Sequence, residues 1–210
     1  MKKNISVLTV LALVASTIFI SCGGSGSETA TTDSTATTAG EAMTLNVDPA
    51  SSSVNWMGEM LGVYSHSGTV KLSSGEVMLA GTNVTGGKFT VDMKSINPTD
   101  SNYNAAEGHT ADKLVGHLAT GDFFAVDSIP TASFEITKVE GNVATGNLTV
   151  RGKTNEEQVK DITVTQEGDA YKVSGNLTFD RQKYGVAYKA AKDMVLSDNI
   201  ALKIDLMARK

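Results

Sequence analysis

The stretch "KFTVDMKSI", residues 88–96, decides the fold of this chain. Its apolar residues Phe89, Val91 and Met93 alternate with the polar residues Lys88, Thr90 and Asp92. Successive side chains of a β-strand point to opposite faces, so this alternation predicts a strand with one dry face and one wet face. The pattern is typical of an antiparallel sheet that is solvated on one side.

The same two-residue period recurs on both sides of this stretch, from Thr44 to the end of the chain. It predicts seven or eight amphipathic strands. Outside the first stretch, their apolar faces carry Val54, Trp56, Met60, Phe134, Ile136, Leu148, Val150, Ile162, Val164, Tyr171, Val173, Leu177, Phe179, Ile200, Leu202, Ile204 and Leu206.

Four short polar segments predict hairpin turns between these strands. They are "SSG" at 73–75, "GG" at 86–87, "EGN" at 140–142 and "EGD" at 167–169. Such residues favour the tight turns that join neighbouring antiparallel strands. Consecutive hairpins give a meander.

A single open sheet of this size would leave two hydrogen-bonding edges and one apolar face in water. Closure into a barrel removes both problems, because a closed sheet has no edges and an enclosed inner face. We therefore predict an all-β fold, an antiparallel eight-stranded barrel with a short helical insertion. A two-sheet sandwich is the alternative architecture.

The helical insertion is predicted at about residues 110–118. The segment "NPTDS" before it supplies turn and capping residues. Ala111, Leu114, Val115 and Leu118 follow at helical spacing. So short a helix is marginal alone and must pack on the sheet.

The next segment, "GHLATGDFF" at 116–124, joins this helix to a strand that begins after Pro130. We expect one of Phe123 and Phe124 to plug the barrel or its rim while the other packs under the helix, because neighbours in extended backbone face opposite sides. Asp122 is expected to accept hydrogen bonds from the following turn. A lone histidine such as His117 is more often a hydrogen-bonded fixture than a catalyst or a ligand.

The N-terminal region has the pattern of an exported protein. Residues 1–21 place Lys2 and Lys3 before an apolar run and predict a cleaved signal peptide. Cys22 follows in "FISC", which resembles a bacterial lipobox and predicts lipidation of that cysteine; an ordinary secretory signal is the alternative. Residues 22–43 are rich in Gly, Ser, Thr and Ala and predict a flexible tether. We expect a membrane-anchored lipoprotein of the bacterial envelope, facing the periplasm or the cell surface.

Charge and motifs argue against several function classes. Loss of Lys2 and Lys3 with the signal leaves 16 basic residues against 23 acidic ones, a net charge of −7, which disfavours nucleic acid as a partner. The chain has no nucleophile-elbow or phosphate-binding motif, and its three histidines are scattered. We expect no catalytic residues, no metal and no enzyme activity. The sequence leaves open whether the chain forms a homodimer.

Several ordered motifs resemble the YceI-like family across residues 44–210, which we take as one domain. "HLATGDFFAVDSIPTASFEIT" is similar to the family's helix-to-strand segment, with His117, Asp122, Phe123 and Phe124 in its motif. "NVATGNLTVRGKTNEEQVKDITV", "LTFDRQKYGV" and "LNVDPASSSVNW" are similar to three further family segments. The resemblance implies a lipocalin-like barrel whose apolar interior binds a long amphiphile, such as a polyisoprenoid or an isoprenoid quinone.

We therefore predict binding, storage or transport of an isoprenoid-like or other long-chain lipid, with no further cofactor. The alternative is a structural or stress-related envelope protein whose barrel is filled by its own side chains and which acts through protein partners. The residues predicted to line the ligand site are Trp56, Phe89, Val91, Phe134, Ile136, Leu148, Val150, Leu177, Phe179, Leu202 and Ile204.

Overall fold

The computed structural model describes residues 40–189 and 194–210. The predicted signal peptide, Cys22 and nearly all of the predicted tether lie outside the described residues. The described chain contains one α-helix, α1 (Ala111–Ala119), and two 3₁₀ helices, Ala105–Glu107 and Arg181–Tyr184. Its strands are β1 (Ala42–Val47), β2 (Ser53–Met60), β3 (Tyr64–Ala80), β4 (Asn83–Pro98), β5 (Thr131–Glu140), β6 (Val143–Val150), β7 (Lys153–Glu167), β8 (Ala170–Asp180) and β9 (Leu196–Arg209).

The strands form a closed antiparallel barrel. From β2 to β9 each strand pairs with the next one along the chain, and β9 returns to pair with β2. This closure leaves no free edge between these strands. The predicted eight-stranded barrel with a helical insertion is confirmed, and the two-sheet sandwich is wrong.

Strand β1 shares one of the eight barrel positions with β2. It pairs with residues 76–80 of β3, whereas β2 pairs with residues 64–70 of the same strand. The two strands are separated by a polar turn in which Asp48 accepts hydrogen bonds from the Ala50 N–H at 3.0 Å and the Ser51 hydroxyl at 2.8 Å. Satisfying these groups locally lets the chain break one long strand into two pieces.

Two of the four predicted turns are confirmed and two are wrong. The segments at 140–142 and 167–169 do connect β5 to β6 and β7 to β8. The segments at 73–75 and 86–87 lie inside β3 and β4, and the turn between these strands is at 81–82. Gly75 is required for packing instead, since a Cβ there would lie 2.9 Å from Cδ1 of Phe89.

The helix occupies the predicted place. Thr110 is its N-cap, and the Thr110 hydroxyl accepts a hydrogen bond from the Lys113 N–H at 3.3 Å. This bond satisfies one of the backbone donors that a helix start leaves free. Helix α1 lies in the connection from β4 to β5.

The barrel has two different ends. At the turn end lie β1 and the hairpins at 81–82, 141–142 and 168–169. At the helix end lie the β2–β3 turn, the β4–β5 connection with α1, and the β8–β9 connection. Two groups of buried apolar side chains share the interior, one mostly toward each end.

Candidate functional site

The inward faces of the strands enclose an apolar cavity of about 340 Å³. This volume lies within the range of small-molecule sites, about 300–1,000 Å³. The period-two alternation produces the site directly, because every second residue of each strand points to the barrel interior.

All eleven residues predicted as ligand-site lining face this cavity. They are Trp56, Phe89, Val91, Phe134, Ile136, Leu148, Val150, Leu177, Phe179, Leu202 and Ile204. The structure brings these side chains from six strands into one space, although they are spread over about 150 positions of sequence.

The cavity is sealed at the turn end. Leu45 and Leu79 have no exposed surface there, and Val77 and Ala208 are equally enclosed. Close packing of these buried aliphatic side chains closes this end of the described barrel.

The helix end gives access to solvent. Tyr64 lines the cavity and is 40% exposed. Leu114, His117 and Leu118 of α1 also line it. The opening of the cavity therefore lies at the helix end, with α1 forming one wall of it.

An aromatic group lies under α1. The ring of His117 contacts the rings of Phe123 and Tyr188 edge to face, at centroid distances of 4.8 and 4.7 Å. The Phe123 ring also lies 5.0 Å from that of Tyr188. Such edge-to-face pairs stabilise the packing beyond simple burial. His117 therefore lies in the cavity wall beside aromatic rings.

The expectation that Phe123 and Phe124 face opposite sides is wrong. Both line the cavity, with ring centroids 6.2 Å apart. The reason is that the chain turns here instead of extending: the Phe124 N–H donates to the Leu118 carbonyl, and Ala125 has a φ of 51°. Alternation of faces applies only to extended backbone.

Asp122 is exposed and lies outside the cavity lining. Among the described residues its carboxylate receives no hydrogen bond, so the expected bonds from the following turn are absent in this part of the chain. That turn is closed by backbone bonds, such as the one from the Ala125 N–H to the Thr120 carbonyl at 2.8 Å.

A polar cluster that was not predicted lies beside the cavity at the helix end. Nδ1 of His66, a cavity-lining residue, is 3.2 Å from Oδ1 of Asp100. Asp100 also accepts hydrogen bonds from the Ser67 N–H at 2.9 Å, the Asn102 N–H at 2.8 Å and the Tyr103 hydroxyl at 3.0 Å. The His66 and Tyr103 rings stack with their centroids 5.0 Å apart.

These contacts set the charge of the cluster. Burial alone would raise the pKa of Asp100, but the hydrogen bonds from Ser67, Asn102, His66 and Tyr103 outweigh it and hold the pKa below its ordinary value. Burial, together with the bond to this carboxylate, raises the pKa of Tyr103 to about 12. At neutral pH the carboxylate is ionised and the phenol keeps its proton.

Arg181 is the one permanently charged residue among the described residues that line the cavity, and it is 3% exposed. Its five N–H groups all have acceptors: the carbonyls of Val186, Tyr188, Leu196 and Ser197 and the carboxylate of Asp198. A guanidinium has five donors, so none is left for a ligand. Arg181 therefore holds the β8–β9 connection in place.

The residues that sequence reasoning missed are His66, Asp100 and Tyr103, together with Leu114 and Leu118 of α1 as cavity-lining residues. The helical spacing of Leu114 and Leu118 could have placed those two at the opening. Within residues 40–189 and 194–210, no group of three His, Cys, Asp and Glu side chains is placed to hold a metal ion. No helix in the described part of the chain has the length and apolar character needed to span a membrane.

Fold and cavity together define a closed antiparallel β-barrel that encloses an apolar ligand-sized space with one accessible end. The chain belongs to the YceI-like domain family, whose model matches residues 45–208. The proteins it resembles include UPF0312 protein SAB2563 of Staphylococcus aureus (strain bovine RF122 / ET3-1), 37% identical over 81 residues, which are 36% of this chain and 47% of the relative. A UPF0312 protein of Pseudomonas aeruginosa (strain LESB58) is 36% identical over 95 residues, which are 40% of this chain and 48% of the relative. The chain thus spans about half the length of these relatives.

Solved structures show the same fold. BcnA of Burkholderia cenocepacia superposes with a TM-score of 0.61 at 23% identity, over 77% of this chain and 98% of that one. A polyisoprenoid binding domain from Saccharophagus degradans superposes with a TM-score of 0.51 at 11% identity, over 79% of this chain and 97% of that one. At these identities the likeness concerns the fold.

Proposed function

We propose that this protein binds a long-chain, isoprenoid-like amphiphile in its barrel and so stores or carries a lipid. The observation that supports this proposal most directly is the apolar cavity of about 340 Å³, which is closed at the turn end and accessible at the helix end. A cavity of this shape accepts a chain inserted tail first, with the polar end left at the opening. The polyisoprenoid binding named for the Saccharophagus degradans domain of similar fold supports the isoprenoid class.

Hydrocarbon burial is sufficient for useful affinity. Each buried CH₂ group contributes about 0.8 kcal/mol, so about ten of them contribute roughly 8 kcal/mol before the costs of ordering. A dissociation constant of about 1 μM requires a net value of about 8 kcal/mol, so a chain of more than about ten CH₂ groups must be buried to offset the costs of ordering as well. The site thus needs few polar contacts for affinity, and those it has serve to orient the ligand.

Binding without catalysis is the simplest function for this lining. The cavity is built mostly from apolar side chains, and the one guanidinium among its described lining residues is fully occupied by protein acceptors. We propose that the ligand leaves chemically unchanged.

The place of action belongs to the same proposal. A signal peptide at residues 1–21, lipidation at Cys22 and a tether to residue 43 would hold the barrel at a membrane of the bacterial envelope. Replacement of Cys22 by Ser should release the protein from the membrane fraction of the native host into the soluble fraction. Retention of the C22S variant in membranes would contradict the lipid anchor and leave the cavity function untouched.

The direct test of the binding function is to identify what the protein carries. The full-length protein, purified from its native host without added lipid, is extracted with organic solvent, and the extract is analysed by mass spectrometry. We expect a long-chain amphiphile in a fixed ratio to protein. Failure to recover a lipid, together with failure of added prenyl probes to bind, would favour the alternative of a barrel that acts through protein partners.

A plug variant separates the cavity from the rest of the molecule. A Cβ added at Gly58, on the cavity wall in β2, would meet one atom within 4 Å, Cδ1 of Ile200 at 3.5 Å. Gly58→Leu should therefore fold and fill the opening, and reduce lipid recovery at least tenfold. Gly116→Leu is the matched control, because Gly116 is exposed on α1 with nothing within 4 Å of an added Cβ. Equal lipid recovery from both variants would contradict binding in the cavity.

A further inference from the structure

The His66–Asp100 contact determines which nitrogen of the histidine ring carries the proton. Asp100 accepts four hydrogen bonds, from His66, Ser67, Asn102 and Tyr103. An ionised carboxylate is an acceptor only, so the His66 Nδ1 that faces it must be a donor. In the neutral imidazole the other nitrogen, Nε2, is then an acceptor.

The ring of His66 is held in one orientation. Tyr103 stacks on it with an interplanar angle of 13°, and Tyr64 contacts it edge to face with centroids 5.1 Å apart. The Asp100 carboxylate fixes the ring edge, and the N–H groups of Ser67 and Asn102 fix the carboxylate in turn. Such a second layer of hydrogen bonds holds a functional side chain ready for its partner.

His66 is at the place where a polar ligand group must lie. It is the third residue of β3, at the helix end, and its side chain lines the cavity. The turn end is sealed by aliphatic side chains, so the polar end of an amphiphile has to stay at the helix end. Within the described residues Nε2 of His66 has no hydrogen-bond partner.

The lining does not suit a charged head group. Arg181 is the one permanent cation among the described lining residues, and its five N–H groups are already used. The nearest carboxylate to His66, that of Asp100, adds negative charge to the same region. A phosphate or diphosphate would therefore meet repulsion there, with no cation among the described lining residues free to pair with it.

We propose that Nε2 of His66 is a head-group binding site that accepts a hydrogen bond from the hydroxyl of an uncharged long-chain alcohol, with Asp100 as the positioning residue. This inference rests on the proposed binding function and narrows its ligand class. The alcohol oxygen lies at the opening, and the hydrocarbon chain extends toward the turn end.

The test compares three probes that share one hydrocarbon chain: geranylgeraniol, its methyl ether and its diphosphate. The ether keeps the oxygen but has no proton to donate. Binding to the full-length protein is measured at pH 8 by isothermal titration calorimetry below the micelle concentration of each probe. We expect the alcohol to bind about fivefold more tightly than the ether, which is the usual effect of one hydrogen bond, and the diphosphate to bind most weakly.

Variants assign this preference to His66. His66→Phe keeps a flat ring for the stack but removes both nitrogens, so alcohol affinity should fall about fivefold while ether affinity stays the same. Asp100→Asn should reduce the preference for alcohol without reversing it, because the amide no longer fixes the proton on Nδ1. His109→Phe is the matched control, since His109 is exposed and outside the cavity lining, and it should behave as the wild type.

Each failure has its own meaning. Equal affinities of the wild type for alcohol and ether, or tighter binding of the diphosphate, would overturn the head-group inference and leave the binding function standing. If the His66→Phe variant loses affinity for the alcohol and for the ether equally, the head-group inference is also overturned, and the binding function still stands. Binding of none of the three probes would overturn the inference, and, if no lipid is recovered from the purified protein either, it would overturn the binding function as well. The wild-type comparison does not depend on the folding of any variant.

Discussion

Arg181 is a buried charge whose loss the fold should not tolerate. Its guanidinium donates to two backbone carbonyls of the β8–β9 connection and, at the start of β9, to two carbonyls and one carboxylate. Arg181→Met should lower the free energy of unfolding by about 3–5 kcal/mol, because the buried acceptors lose their donors. Chemical denaturation in urea measures this change. Arg209→Met, at an exposed arginine, is the control and should change stability by less than about 0.5 kcal/mol.

Tyr103 makes the stability of the protein depend on alkaline pH. Its pKa is raised to about 12 in the folded protein and is about 10 in the unfolded chain. Its contribution is therefore fully present below pH 10 and is lost as the pH rises toward 12. Tyr103→Phe should be less stable than wild type by about 1 kcal/mol at pH 8, since Asp100 loses a hydrogen bond.

The gap between wild type and Tyr103→Phe should narrow as the pH passes from 10 to 12, because only the wild type has this phenol to ionise. Urea denaturation at pH 8, 10 and 11.5 follows the difference. A gap of constant size across this range would show that the phenol does not ionise differently in the two states.

At the scale of single elements, β5 and β6 meet at a position that only glycine fits. A Cβ added at Gly146 would lie 2.4 Å from the Glu135 carbonyl oxygen and 2.6 Å from Cζ of Phe134. Gly146→Ala should lower the free energy of unfolding by about 2–3 kcal/mol, because the clash is with backbone. Gly58→Ala, where the added Cβ meets a side-chain atom at 3.5 Å, should change it by less than about 1 kcal/mol. Thermal unfolding of the two variants side by side gives the comparison, and equal shifts would contradict it.

Strand faces were predictable from the sequence, whereas strand lengths were not. The alternation at Phe89, Val91 and Phe134 predicts which side chains lie on the same face of a strand. Closure of the barrel then brings the apolar faces of all the strands together. The glycines at 75 and 86–87 predict turns from sequence, because glycine favours turns. In the barrel Gly75 instead makes room for the ring of Phe89, a contact between strands that one-dimensional patterns do not contain.

The polar cluster at the helix end was beyond sequence reasoning for a similar reason. His66 lies on β3, whereas Asp100 and Tyr103 lie just after β4, more than thirty residues along the chain. Their contact depends on the pairing of β3 with β4, in which Gly68 faces Pro98. Likewise, the side chains of Phe123 and Phe124 both line the cavity because the backbone turns at this point. The alternation of apolar and polar residues in the sequence does not predict such a turn.

For the whole molecule, closure links the two ends of the domain. Strands β2 and β9, near the beginning and the end of the described chain, pair over their lengths. Several half-buried side chains, among them Val91, Ile136 and Leu202, pack against the buried groups of both barrel ends. If one end of the barrel loses its packing, apolar side chains that belong to the other end are exposed as well. The two ends should therefore unfold together, in one cooperative transition.

A cavity-forming substitution at the turn end tests this coupling. Leu79 has no exposed surface and belongs to the turn-end group. Leu79→Ala should lower the free energy of unfolding by about 2–5 kcal/mol, through lost burial and the space left behind. Amide hydrogen exchange should show the same loss of protection in β3, which holds the substitution, and in β6, whose buried residues belong to the other group. A loss confined to β3 would mean that the turn end opens by itself, so that the barrel can release its seal while the walls of the cavity stay folded.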